Sequence, residues 1–181
     1  MGYAQIPSTL NFKHHTTENG LSQGVVEFML KDSKGLMWFT SHDGINRFDG
    51  TTCMSNEQIG PGFASGQQTK GLAEDDKGNI WIGTVQGMFK FSYSTGQFHK
   101  IAPDLLEKDI KVRQNSFFMP TLYADGWLLV VRDNAPAFLY HALTNKTRVI
   151  PNPAFGRDGQ NGKGKITGGK SAHSEIAYPG K

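Results

Sequence analysis

Apolar positions in this chain come in short runs of four to six residues, separated by turns rich in Gly, Asp, Asn and Ser. Leu36 to Ser41 and Asn79 to Thr84 are aromatic and β-branched, and apolar on both alternating faces. That pattern predicts strands covered on both sides. Shorter runs flank them: Val25 to Lys31 and Thr69 to Glu74 before, Ile45 to Asp49 and Met88 to Ser92 after, then the weaker Thr51 to Met54 and Gln97 to Ile101. No helix-period apolar stripe runs through the chain.

The runs repeat. Residues 32–48, DSKGLMWFTSHDGINRF, align on residues 75–91, DDKGNIWIGTVQGMFKF. Asp32 falls on Asp75, Lys34 on Lys77, Gly35 on Gly78, Trp38 on Trp81, Gly44 on Gly87 and Phe48 on Phe91. In each copy Asp-x-x-Gly forms a tight turn, in which Asp bonds the backbone ahead and Gly takes the left-handed position. Four short antiparallel strands in about 43 residues is the length of one β-propeller blade. The expected fold is all-β: a partial β-propeller over residues 10–150, with blades at about 25–54, 69–101 and 112–150. The third is degenerate, with Asp125-Gly126-Trp127 as its turn and tryptophan, strands at Leu128 to Arg132 and Ala137 to Leu143, and a closing turn at 144–147. Phe12 to Thr17 is read as a strand, 56–68 as a Gly/Ser/Gln-rich connection, and 103–111 as a helical turn or loop insertion. Three units do not close a ring, since propellers need about four or more blades. An open wedge leaves its first and last faces bare, to be covered by further blades of a longer chain or by self-association.

Composition changes this picture at the ends. The net charge is +3, but Lys146, Arg148, Arg157, Lys163, Lys165, Lys170 and Lys181 supply the basicity, so the repeats present no nucleic-acid face. Residues 151–181 are rich in Gly and Lys and are expected to be a loose tail. Residues 1–9 read as the remnant of a secretory leader. Cys53 is the only cysteine, which excludes an internal disulfide and a cysteine-based zinc site.

The run Phe12…Asn19-Gly20-Leu21-Ser22…Asp32-x-x-Gly35-x-x-Trp38-Phe39-Thr40-x-x-Asp43-Gly44-Ile45-Asn46-Arg47-Phe48-Asp49-Gly50 resembles the opening of the two-component-regulator propeller sensors. Its second copy, Glu74-Asp75…Gly78-Asn79-Ile80-Trp81-Ile82-Gly83-Thr84…Gly87…Phe91, is similar to that family's repeat signature. The resemblance covers about residues 10–101. It implies a periplasmic, non-catalytic sensor that reports a small-molecule or oligosaccharide ligand to a kinase, whose domains this chain lacks, and it implies no cofactor.

Blade geometry puts the second-to-third strand turn and the entry to the first strand on one rim. That rim gathers Ser41, His42, Asp43, Val85, Gln86, residues 19–23 and 67–68. Asn19, His42, Asp43 and Gln86 are the expected polar ligand contacts. Trp38 and Trp81 are expected to pack between blades rather than stack on sugars.

Other chemistry is weak. Residues 164–171 match the phosphate-loop pattern, but no buried strand precedes them, and a nucleotide site is not expected. His14, His15, His42 and His99 have no metal-ligand spacing. Residues 75–86 lack the twelfth-position acid of a calcium loop. Two rival readings stand beside the sensor: a fragment of a propeller enzyme such as a lyase or quinoprotein-like scaffold, and a protein–protein scaffold.

Overall fold

The computed structural model describes residues 14–85, 87–101, 117–133 and 135–150. The expected leader, the 103–111 insertion, Gln86 and the tail with its phosphate-loop pattern lie outside the described residues. Among the described residues, twelve strands form three separate four-stranded sheets. The first holds β1 (Phe28–Lys31), β2 (Met37–Ser41), β3 (Gly44–Phe48) and β4 (Cys53–Ser55). The second holds β5 (Thr69–Glu74), β6 (Ile80–Thr84), β7 (Gly87–Ser92) and β8 (Gln97–Ile101). The third holds β9 (Phe118–Ala124), β10 (Trp127–Arg132), β11 (Phe138–His141) and β12 (Thr147–Val149). Each sheet is an antiparallel meander in chain order, which is the topology of a propeller blade. β5 packs against β1 on one side and β9 on the other, so the first strands of the blades line a common axis. The three described sheets do not close into a ring.

The repeated aspartate has a specific task. Asp32 Oδ1 accepts the amides of Lys34 and Leu36, closing the turn, while Oδ2 accepts the indole N–H of Trp38 at 2.8 Å. Asp75 does the same for Lys77, Asn79 and Trp81, the last at 3.0 Å. A buried indole N–H needs a partner, and a hairpin of this length brings the carboxylate to it. Trp38 and Trp81 are both completely buried, as the sequence predicts.

Trp38 packs toward blade two in a cluster with Ile45, Leu72, Ile80, Ile82 and Phe91; Trp81 packs toward blade three with Met88, Phe118, Leu128, Val130 and Tyr140. Full burial of an aromatic or branched side chain contributes about 1.5–3 kcal/mol, so each seam is a large stabilising term. A cation lies 5.7 Å from each tryptophan ring: Arg47 over Trp38, Lys90 over Trp81, Arg148 over Trp127. In blades one and two the cation stands directly opposite the tryptophan on the next strand, whereas Arg148 reaches Trp127 from the outermost strand β12. The first hairpin of blade three is shortened to a two-residue turn, Asp125 and Gly126, both at positive φ. Pro120 fits β9 because β9 is an edge strand of its sheet.

Two local expectations change. Thr17 does not belong to a strand; it opens a single 3-10 turn, Thr17–Asn19. The 56–68 connection begins with a one-turn helix, α1 (Asn56–Ile59), held by reciprocal bonds between Ser55 and Gln58. Its Ile59, with Phe63, extends the seam between blades one and two outward.

Candidate functional site at the blade rim

The β2–β3 turn and the entrances to β1, β5 and β9 lie at one end of the wedge, as blade geometry requires. Short polar segments there are held by bonds to neighbouring strands. The His42 amide donates to Gln23 Oε1 at 3.1 Å, and Ser22 is fixed by Ser41 and Asn46. His42 Nε2 contacts Glu27 Oε1, and its Nδ1 lies 3.4 Å from the Gln68 amide nitrogen. Glu27 Oε2 is 3.6 Å from Lys70 Nζ, which sits 4.5 Å above the Phe117 ring. The Phe117 amide donates to Asp133 at 3.1 Å. One line of contacts, Gln23–His42–Glu27–Lys70–Phe117–Asp133, therefore crosses the inner mouths of all three blades.

A backbone irregularity aims Lys70. The β5–β6 register slips between Lys70 and Leu72, leaving Gly71 at φ +73°. A Cβ on Gly71 would lie 2.9 Å from Met119 Cα, so only glycine lets β5 approach β9 this closely.

The expected contacts are partly assembled. His42 is central to the rim, with its side chain half-exposed. Asp43 is exposed beside it, its amide bonded to Ser41 Oγ at 3.2 Å. Asn19 is exposed in the 3-10 turn and bonds back to Thr16; the adjacent Gly20 abuts Cys53 on outer strand β4. Asn19 therefore sits with the outer part of blade one rather than with the His42 line. Gln86 lies outside the described residues. Glu27, Lys70 and Phe117 were not legible, because each stands at a strand entrance outside the repeated motif. An acid and a base at the first positions of successive inner strands would have been the signal.

The opposite rim, where the first hairpins turn, carries a cleft of about 520 Å³ lined by Ser33, Glu74, Asp75, Asp76, Tyr123 and Asp125. Most of its polar groups are already engaged. Glu74 accepts the Ser33 amide and hydroxyl, Asp76 accepts the Tyr123 hydroxyl at 3.1 Å, and Asp75 holds Trp81. Burial and the bond to Asp76 push the Tyr123 hydroxyl up to about 12. Tyr93, from blade two, donates to Asp32 of blade one. Burial opposes ionisation of Asp32, but the bonds from Tyr93, Trp38 and the amides of Leu36 and Lys34 outweigh it and hold the carboxyl below its usual range. These are latches between blades. Among the described residues no cluster of His, Cys, Asp and Glu could hold a metal ion, and no helix is long and apolar enough to cross a membrane.

No protein of curated function matches the chain in sequence. Its fold is similar to that of the extracellular domain of the one-component system BT4673 from B. thetaiotaomicron, at 14% identity over 77% of this chain, with a TM-score of 0.58. A structure of the extracellular domain of the hybrid two-component system BT4673 gives 16% identity over 72% of this chain, with a TM-score of 0.51. The extracellular domain of the hybrid two-component system BT3049 of the same organism aligns with 78% of this chain and 26% of its own, at 15% identity and a TM-score of 0.47. This chain spans only 18% of either BT4673 domain, and at these identities the likeness is one of fold. Residues 65–86 match the two-component regulator propeller family. The part of that match from Asp75 onward is the motif that recurs at 32–48, in the same place in its blade, so the chain carries two copies of a segment similar to that family's repeat.

Proposed function

We propose that this chain is a non-catalytic ligand-sensing segment of a two-component receptor, acting outside the cytoplasm. The observation that supports it best is the continuous polar line at one rim, contributed by the inner entrances of three blades. Such convergent loops on a rigid scaffold are where ligands commonly bind. The ligand is a small polar molecule, an oligosaccharide by preference: Gln23, Gln68, His42 and Asp43 offer mixed donors and acceptors, and the Phe117 ring offers an apolar face. Further blades, from the rest of a longer chain or from a second copy, complete the ring, and the location is the periplasm.

Calorimetric titration of the chain with a panel of neutral and acidic oligosaccharides tests this reading. One member should bind, without being cleaved. His42→Ala and Gln68→Ala should each weaken it roughly tenfold, the value of a charged or well-placed hydrogen bond. Turnover of a saccharide, or binding indifferent to both substitutions, would contradict the reading.

A further inference from the structure

Blade three departs from the repeat at one buried pair. In blade two, Thr69 opens β5 opposite Thr84, which closes β6, and both are fully buried. Thr69 Oγ1 accepts the Ser41 amide at 3.1 Å and shares its one proton between the carbonyls of Gly44, at 2.7 Å, and Ser41, at 2.9 Å, in blade one's β2–β3 turn, and Thr84 Oγ1 donates to Gly87 O at 3.1 Å. In blade three the same register places Phe118 opposite Arg132. The hydroxyls are gone. Arg132 is only 4% exposed, its guanidinium lies 4.8 Å from the Phe118 ring and feels the charge of the adjacent Asp133 carboxylate, and among the described residues Nε, Nη1 and Nη2 make no hydrogen bond.

A guanidinium carries five N–H donors in a fixed fork and stays charged in proteins. Burying it without hydrogen bonds, with only the charge of Asp133 to offset desolvation, is costly. The ring below supplies a cation–π contact to one face but satisfies no N–H. Arg132 closes β10 on the same rim as His42, and its neighbour Asp133 ends the polar line described above.

We propose that Arg132 is an oxyanion-recognition residue, whose fork receives a ligand carboxylate at the seam between blades two and three. Carboxylate matches the fork in two parallel charge-assisted bonds, which neutral sugars cannot supply. Because the nitrogens are shielded, binding couples to opening of the seam at this rim. The inference rests on the reading of the rim as the ligand-facing end, and it narrows that ligand to one bearing an acidic group.

The test titrates the whole chain with glucuronate, with glucose as the neutral counterpart. Hydrogen exchange at β9 and β10 is followed in parallel. Wild type should bind glucuronate and not glucose, with altered exchange in both strands. Arg132→Met and Arg132→Thr should stay folded, with melting temperatures at or above wild type, and should bind glucuronate at least about tenfold more weakly. Arg132→Lys keeps the charge and loses the fork, and should show the same weakening. Competition by acetate would support any carboxylate as the ligand group; resistance to acetate would support a sugar acid. Absence of glucuronate binding, binding unchanged in Arg132→Met, or a melting temperature that falls in Arg132→Met would overturn the proposal. His42→Ala separates the two readings. If it abolishes saccharide binding but leaves the Arg132 effect intact, both stand. If it changes nothing while Arg132 variants lose glucuronate, the polar line fails and the oxyanion site survives.

Discussion

The two seams of the wedge solve the same packing problem differently. Between blades one and two, side chains bridge the gap: Trp38 meets Phe91 and Tyr93, Tyr93 donates to Asp32, Glu74 clasps Ser33, and Thr69 caps the β2–β3 turn. Between blades two and three the backbones themselves close up. A Cβ on Gly83 would lie 1.5 Å from the Phe118 carbonyl oxygen, so β6 and β9 touch where any other residue would separate them. The first seam is fastened by several polar latches and aromatic area; the second has one latch, Tyr123 to Asp76, and the Trp81–Tyr140 contact, and adds close backbone approach. Blade two, between them, shows no exposed large apolar side chain among the described residues. Those exposed lie in and around blade one (Val25, Val26, Phe28, Met29) and blade three (Val131, Leu143, Val149, Ile150). Among the described residues, exposure of apolar side chains follows position in the stack, being confined to the first and last blades.

The contrast can be broken from either side. Gly83→Val should have the largest effect, above about 4 kcal/mol, because the clash is with backbone that cannot rotate away. Thermal melts should show it, with exchange protection lost first in β9 and β10. Trp38→Ala and Trp81→Ala should each cost about 3–5 kcal/mol in denaturant titrations. A large difference between them would mean that the seams are less equivalent than the repeat suggests.

Tyr93→Phe should cost about 1–3 kcal/mol by removing a bond to a carboxylate. It should also change the pH profile. Asp32 is held below its ordinary 3.8, so its stabilisation is present above that value and is lost as pH falls below it. Burial and the bond to Asp32 hold the Tyr93 hydroxyl well above 10.0, so its contribution is complete below pH 10 and is lost as pH rises beyond it. The variant should lose the alkaline part and weaken the acid part of that profile. Met29→Thr should do least, within about 0.5 kcal/mol, since Met29 is 67% exposed. A larger loss would mean that its face is already covered in solution by another copy.

Much of the fold could be read in advance. The Asp-x-x-Gly turns, the tryptophans and the alternating apolar runs are local signals, and they set eight strands of the first two blades to within about three residues at either end. Blade three was legible mainly through Asp125-Gly126-Trp127 and its closing turn, since its shortened hairpin erases the six-residue step from aspartate to tryptophan. The reason for that step, an indole N–H bonded to the turn carboxylate, emerges only when the hairpin is folded. The rim was half legible. His42 sits in the repeated motif, but Glu27, Lys70 and Phe117 owe their meeting to the stacking of three inner strands, a non-local fact. Arg132 reads as the last residue of a strand beside an acid, Asp133, and nothing in the local pattern announces that its guanidinium is buried without hydrogen bonds.

The central claim is that the tryptophan-centred sheets stack radially, each indole facing the next blade. Nuclear Overhauser contacts of the indoles in the folded chain test it most directly. The stack predicts contacts from Trp38 to the Tyr93 and Phe91 rings, whose centroids lie 6.3 and 5.3 Å away, and from Trp81 to Tyr140 at 5.7 Å. Indoles that contact only residues of their own sheet would contradict it.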